Sequence, residues 1–177
     1  FRNTNGVDQG LNTVLMVELD GTLLPSDGTS IGLHILAGET TVRGLAINRF
    51  YFGLSLDGQG DNVIEGNFIG TDISGTIDFG NGFDGVVIHA PSTSAPATGN
   101  RIGGIASASN LISGNNRNGV LVSGFGTSGN QVQGNFIGTD VTGMAALRNV
   151  STGVFIVAYD TLLGGQQSGE GNLISAN

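Results

Sequence analysis

The chain has no cysteine, no tryptophan and no lysine, and only three of its 177 residues are proline. Without cysteine there is no disulfide framework and no thiolate metal site. With so little proline, and glycine in no three-residue rhythm, the chain is not collagenous. Charged residues make up 11% of the sequence, so the surface must be built largely from Asn, Ser, Thr, Gln and Gly. That composition suits tight turns and poorly suits solvent-facing helices. The net charge of −8, with arginine as the sole strong cation, repels phosphate backbones and anionic lipid, which argues against nucleic acid as a partner and against membrane association. No apolar run is long enough to cross a bilayer, so no membrane insertion is expected.

What is there is glycine, 32 residues of it, and 38% hydrophobic residues, enough for a real core. The heptad Gly-Asn-Phe-Ile-Gly-Thr-Asp stands at 66–72 and again, unchanged, at 134–140. Its surroundings repeat as well. Gly85-Val-Val-Ile88, Gly119-Val-Leu-Val122 and Gly153-Val-Phe-Ile156 are spaced at half the heptad offset. A period of this size marks a stacked repeat. Each unit holds three short segments, too short for helices and bounded by Gly and Asn, which reads as three strands and three corners. Five units follow in register from residue 32, and a partial sixth precedes them at 14–19.

Alternate side chains of a strand face opposite sides. Stacking the units yields interior columns that are Val, Ile or Leu throughout. They are Leu33, Leu54, Val86, Val120 and Val154; Ile35, Leu56, Ile88, Val122 and Ile156; Val42, Ile64, Ile102, Val132 and Leu163; and Ile47, Ile69, Ile112, Ile137 and Ile174. Windings ~4.8 Å apart then make a short rod of about five to six coils. Asn67, Asn110, Asn135 and Asn172 recur at one corner, where stacked amides can bond from coil to coil. One all-β domain over 1–177 is expected. It has a partial or irregular coil at 1–31, regular coils over 32–177, and inserted loops at 72–84, 90–98 and 140–152. Because the sequence starts at Phe1 and stops inside a repeat, it reads as a mature region or a piece of a longer repeat protein. The last coil should present open strand edges, which points to self-association or to neighbouring repeats.

The run Asn62-x-Ile64-x-Gly-Asn-x-Ile69-Gly-Thr-Asp72, followed by Gly-Asn, Gly-Val-x-Ile, Asn-x-Ile-Gly-Gly and Asn-x-Ile-Ser-Gly-Asn, resembles the right-handed parallel β-helix repeats of large bacterial secreted and cell-surface proteins, within the pectin-lyase-like fold. The resemblance covers about 31–177. It implies a right-handed parallel β-helix and an extracellular or cell-surface location. It leaves open a structural or adhesive, carbohydrate-binding module on one side and a polysaccharide lyase or glycoside hydrolase segment on the other, because one fold hosts many functions.

The residues favour the non-catalytic reading. The Asn-Thr-Asp, Asp-Asp and Gly-His-Gly signatures of polygalacturonase-like hydrolases are missing, and a lyase base would have to be arginine. No catalytic residue is assigned. Arg43 and Glu65 fall in one outward column and read as a surface ion pair; His34 and His89 read as surface histidines. No cofactor is required. Asp72, Asp78 and Asp140 open or line glycine-containing loops and are candidates for Ca²⁺, although the counterpart of Asp78 is Ala146. Two outward columns are apolar: Phe68, Leu111, Phe136 and Leu173 on the third strand, and Val87, Leu121 and Phe155 on the first. Bare stripes of this kind need a cover. Either the long loops, with Phe79, Phe83, Met144 and Leu147, fold over them, or they form an interface. Polysaccharide is a candidate partner.

Overall fold

The computed structural model describes residues 1–6, 9–25 and 27–177; within the expected N-terminal coil, Val7, Asp8 and Ser26 lie outside the described residues. Among the described residues seventeen strands follow along the chain. They are β1 (Val17–Asp20), β2 (Ile31–Ile35), β3 (Thr41–Arg43), β4 (Leu45–Asn48), β5 (Phe52–Asp57), β6 (Val63–Glu65), β7 (Phe68–Ile69), β8 (Val86–His89), β9 (Ala97–Thr98), β10 (Arg101–Gly103), β11 (Leu111–Ile112), β12 (Asn118–Ser128), β13 (Gln131–Gln133), β14 (Phe136–Ile137), β15 (Thr152–Tyr159), β16 (Leu162–Leu163) and β17 (Leu173–Ile174). Helix among the described residues is limited to one 3₁₀ turn, Ala106–Ala108.

The strands form three sheets, and apart from β9, which pairs with β12 beside the first sheet, the chain visits them in rotation. The first sheet runs β2-β5-β8-β12-β15, the second β3-β6-β10-β13-β16, and the third β1-β4-β7-β11-β14-β17. Every strand pair is parallel. One strand from each sheet per winding, always laid on the winding before, is an arrangement consistent with a parallel β-helix.

Registry confirms the interior columns. Leu54 pairs with Leu33 and Val86, and Val120 with Val86 and Val154. Ile64 pairs with Val42 and Ile102 on the second sheet, and Ile112 with Ile69 and Ile137 on the third. These side chains make one buried core along the axis. The early partial unit is shorter than the sequence pattern suggests. β1 starts at Val17, and only Leu19 joins the column, opposite Ile47. Leu15 turns to the outer side, where it is buried in a second cluster.

The corners are where such a coil is physically vulnerable, because backbone groups leave the sheet ladders there. Asparagine files occupy all three corners. Asn62 Nδ2 donates to Asn100 Oδ1 at 2.9 Å, and Asn100 to Asn130 at 2.9 Å. Asn67 donates to Asn110 at 3.2 Å, Asn110 to Asn135 at 2.9 Å, and Asn135 to Asn172 at 3.0 Å. Asn81 donates to Asn115 at 2.8 Å, Asn115 to Asn149 at 2.9 Å, and Asn149 to Asn177 at 2.8 Å. The receiving oxygen usually takes the backbone N–H of the same donor residue as well.

The glycine that opens each first-sheet strand has a different reason to be glycine. Gly53 and Gly85 do not need a left-handed backbone; they lack space. A β-carbon on Gly53 would lie 2.6 Å from the Gly85 carbonyl oxygen, and one on Gly85 would lie 2.7 Å from both Asn115 Nδ2 and the Gly119 oxygen. Gly171 has open space around it. Gly85→Ala is therefore expected to lower unfolding free energy by about 2–3 kcal/mol, and Gly171→Ala to change it by less than about 1 kcal/mol. Urea denaturation of both variants checks this, and equal effects would contradict the close-approach explanation.

Candidate functional site

The outer face of the first sheet concentrates the polar and aromatic chemistry. Registry places His34, Ser55, Val87, Leu121 and Phe155 in one outward column. Asp57, His89, Ser123 and Val157 form the next. Between these columns and the corner before the sheet lies a groove of about 340 Å³. Phe52 and Phe83 line it. The Tyr51 and Phe83 rings stack with centroids 5.0 Å apart and 11° between planes, and Phe52 meets both edge-on.

Arg117 lies with its guanidinium carbon 4.4 Å above the Phe83 ring and its Nη1 3.4 Å from Asp84 Oδ2. Asp84 is buried, and its Oδ1 accepts the backbone N–H of Asn118 at 3.0 Å and Asn118 Nδ2 at 2.7 Å. Burial raises the Asp84 carboxyl above its ordinary value, and the Asn118 bonds and the Arg117 charge only partly oppose it. Across the groove, His34 Nε2 meets Asp57 Oδ2 at 2.5 Å, and Ser55 Oγ donates to Asp57 Oδ1 at 3.0 Å. His89 Nδ1 and Ser123 Oγ are 3.1 Å apart. His34 and Asp57 are both partly exposed. The groove thus offers flat apolar ring faces beside carboxylate, imidazole, hydroxyl and guanidinium groups.

The other residues singled out from the sequence fall elsewhere. Arg43 and Glu65 pair at 2.6 Å on the second sheet, and Arg101 joins Glu65 from the opposite side at 3.0 Å. Such partly exposed pairs add at most about 1 kcal/mol each. Asp72 is turned into its own loop. Its Oδ1 accepts the N–H groups of Thr76 and Ile77, and its Oδ2 that of Ser74. Burial raises its carboxyl, but the bonds from Ser74, Ile77 and Thr76 outweigh burial and hold it below the ordinary value. Asp140 repeats the device two windings later, accepting from Thr142 and Ala145. Asp78 accepts the Gly80 N–H at 2.9 Å. Among the described residues no group of three or more acids or histidines converges as a metal site.

Of the two apolar columns, the third-sheet one is covered: Phe68, Leu111 and Phe136 are buried, and Leu173 is half-exposed at the end of the file. The cover differs from the loop residues expected to provide it. Leu11, Leu15 and Val141 do the packing. Leu11 N–H bonds the Val141 carbonyl at 2.7 Å, and Val141 N–H that of Gly75 at 2.9 Å, so N-terminal strap and loops are layered over the sheet. Phe79 instead lies under Arg49, Phe83 belongs to the groove wall, and Met144 is exposed. On the first sheet Val87 is buried, Leu121 partly so, and Phe155 is exposed.

The sequence reading missed Asp84, Arg117, Tyr51 and Phe52. A signal existed for the first two. Asp84 precedes Gly85 as Asn118 precedes Gly119, so unit alignment places the acid under the amide with Arg117 beside it. No family model, no curated protein and no solved structure matches the chain.

Two outcomes are expected. Leu11→Ala should cost about 2–3 kcal/mol in urea denaturation and increase binding of an apolar dye, whereas Met16→Ala, whose side chain is exposed, should change neither. For Asp84 the raised folded-state pKa means that its ionisation opposes folding. Its contribution is most favourable below 3.8 and is lost as pH rises through the folded-state value. Asp84→Asn keeps the acceptor for Asn118 and removes the buried charge. It should stabilise the protein at neutral pH and lose that advantage in acid; denaturation curves at several pH values measure the difference.

Proposed function

We propose that this chain is a non-catalytic module of a right-handed parallel β-helix of the pectin-lyase-like kind, a stiff segment of a secreted or cell-surface bacterial protein that binds glycan along the outer face of its first sheet. The observation that carries this reading is the groove wall: Phe52 and Phe83 packed edge to face, with Tyr51 against both rings, beside Asp57, His89 and Arg117. A sugar presents apolar C–H faces and a rim of hydroxyls, and it is met by ring faces and by bidentate or ionised hydrogen-bonding groups. The sequence motif supports the handedness and the fold family, and rotation of the chain through three parallel sheets supports the solenoid.

A carbohydrate-active enzyme is the second reading, favoured by one feature. Asp84, whose carboxyl burial raises above its ordinary value, lines the same groove as Asp57, and a glycosidase works with a pair of carboxyl groups in unlike surroundings. The arrangement speaks more for structure: Asp84 is engaged by Asn118 and Arg117, and Asp57 by His34 and Ser55.

A glycan array followed by titration calorimetry decides between them. Binding without depolymerisation, weakened about tenfold or more by Phe83→Ala, is the expected result. Turnover of a bound polysaccharide that Asp84→Asn abolishes would establish the enzyme instead, and no binding to any glycan would remove the adhesive role.

A further inference from the structure

A second hollow adjoins the groove. It measures about 550 Å³, and Ser30, Arg49, Tyr51 and Gly82 are among the residues that line it. The two spaces share one wall. Tyr51 and Gly82 line the hollow, while the next residue of each winding, Phe52 and Phe83, lines the groove. Backbone bonds hold that wall in line: Phe83 N–H meets the Tyr51 carbonyl at 2.8 Å, and Arg117 N–H that of Phe83 at 2.9 Å. The chemistry of the groove recurs in the hollow. Arg49 lies with its guanidinium carbon 3.6 Å from the centre of the Phe79 ring and its Nη1 3.1 Å from Asp20 Oδ2, as Arg117 lies over Phe83 beside Asp84. Arg49 holds this place with a left-handed backbone, φ 61°, which disfavours a residue with a β-carbon. Thr22 Oγ1 accepts Arg49 Nη1 at 2.6 Å. Ser30 Oγ accepts the Tyr51 N–H at 2.9 Å and keeps a proton to donate. Leu24 adds apolar surface.

We infer that the hollow is a second sugar subsite, and that one linear, uncharged polysaccharide occupies hollow and groove together, crossing the Tyr51–Phe83 wall between them. The inference rests on the glycan reading of the groove and extends it to a place outside the first sheet. Both spaces offer the same set of groups: a guanidinium over a phenyl ring, serine or threonine hydroxyls, and apolar surface. A ligand built of one repeating unit fits a set of groups that is itself repeated. Charge sets the class of that ligand. Each guanidinium is opposed by a carboxylate, Asp20 in the hollow and Asp84 in the groove, and the chain carries a net −8. A polyuronate or sulfated chain is therefore repelled, and a neutral one is not. A chain long enough to fill both spaces is held by two contacts, the second made at the high effective concentration that the first imposes. Affinity then grows with length past the point where the groove alone is full.

Titration calorimetry with length series tests the inference. The probes are the single sugar, dimer, tetramer and hexamer of β-linked glucose, mannose, xylose and N-acetylglucosamine, with a galacturonate series beside them. For at least one neutral series the hexamer should bind roughly tenfold or more tighter than the dimer. Gly82→Phe should remove that gain. A β-carbon at Gly82 would lie 3.5 Å from Tyr51 Cδ2 and 3.6 Å from the Phe50 oxygen, which is ordinary contact, so a side chain can be added there to fill the hollow. Met144→Ala, at an exposed position away from both spaces, should bind as the parent does. Should Gly82→Phe fail to fold, as judged by far-UV circular dichroism, Leu24→Ala trims the exposed side of the hollow and should weaken the hexamer by about threefold or more. Affinity that stops rising at the dimer, a hexamer indifferent to these changes, or a galacturonate hexamer bound more tightly than every neutral one would overturn the inference and leave the groove standing as a glycan site. No binding in any series would remove both.

Discussion

The stack depends on the amide-to-amide hydrogen bond between one corner asparagine and the next. Sheet ladders satisfy backbone groups only along the strands, and most of the strands are two to four residues long. The corners therefore carry much of the backbone, and they are buried: Asn67, Asn100, Asn115 and Asn135 have no exposed surface. A buried polar group without a partner costs about 1–3 kcal/mol. Each asparagine answers this twice, since its oxygen accepts from the winding before and its nitrogen donates to the winding after or to a strand carbonyl. Aliphatic columns supply cohesion, but cohesion is non-directional. The amide files fix which winding lies on which.

That scaffold leaves the outward positions free to differ. On the third sheet they are apolar and lie under the strap; on the second they carry the Arg43–Glu65–Arg101 stack. On the first they gather Phe52, Phe83, two acids and His89 into the groove. A lattice of stacked windings whose outward positions vary is a sound base for recognition, because the side chains of the groove hang from strands held in parallel ladders. The acidic surface sets the company this face can keep, since Arg117, its one guanidinium, is already opposed by Asp84.

Much of this was readable in the letters. The interior columns, the three-strand winding and the Asn67 file follow from periodicity, because burial demands one residue type at one position in every unit. The Asn62 and Asn81 files were not recognised, since the units differ in loop length and Asn149 follows Arg148 rather than glycine. The cover over Phe68 and Phe136 was assigned to the wrong residues. Leu11 and Leu15 stand outside the repeat, and nothing periodic ties them to the sheet they protect. The groove was illegible for a related reason. Tyr51, Phe52, Phe83 and Arg117 come from corners of different windings, and only stacking brings their rings together.

The amide files also bear on how the molecule ages. An asparagine followed by glycine is the site most open to deamidation, because the unhindered glycine nitrogen can attack the side-chain carbonyl carbon, and asparagine is among the heat-labile residues. Three such pairs occur, at Asn5, Asn81 and Asn118. Asn81 and Asn118 are buried and held by hydrogen bonds to neighbouring windings, which restrains the side-chain rotation that cyclisation needs. Asn5, in the strap, is less enclosed. Chemical wear is thus directed to the strap, where a carboxylate would face the Gln9 and Gly10 carbonyls that Asn5 Nδ2 now bonds, and away from the buried amide files of the shaft.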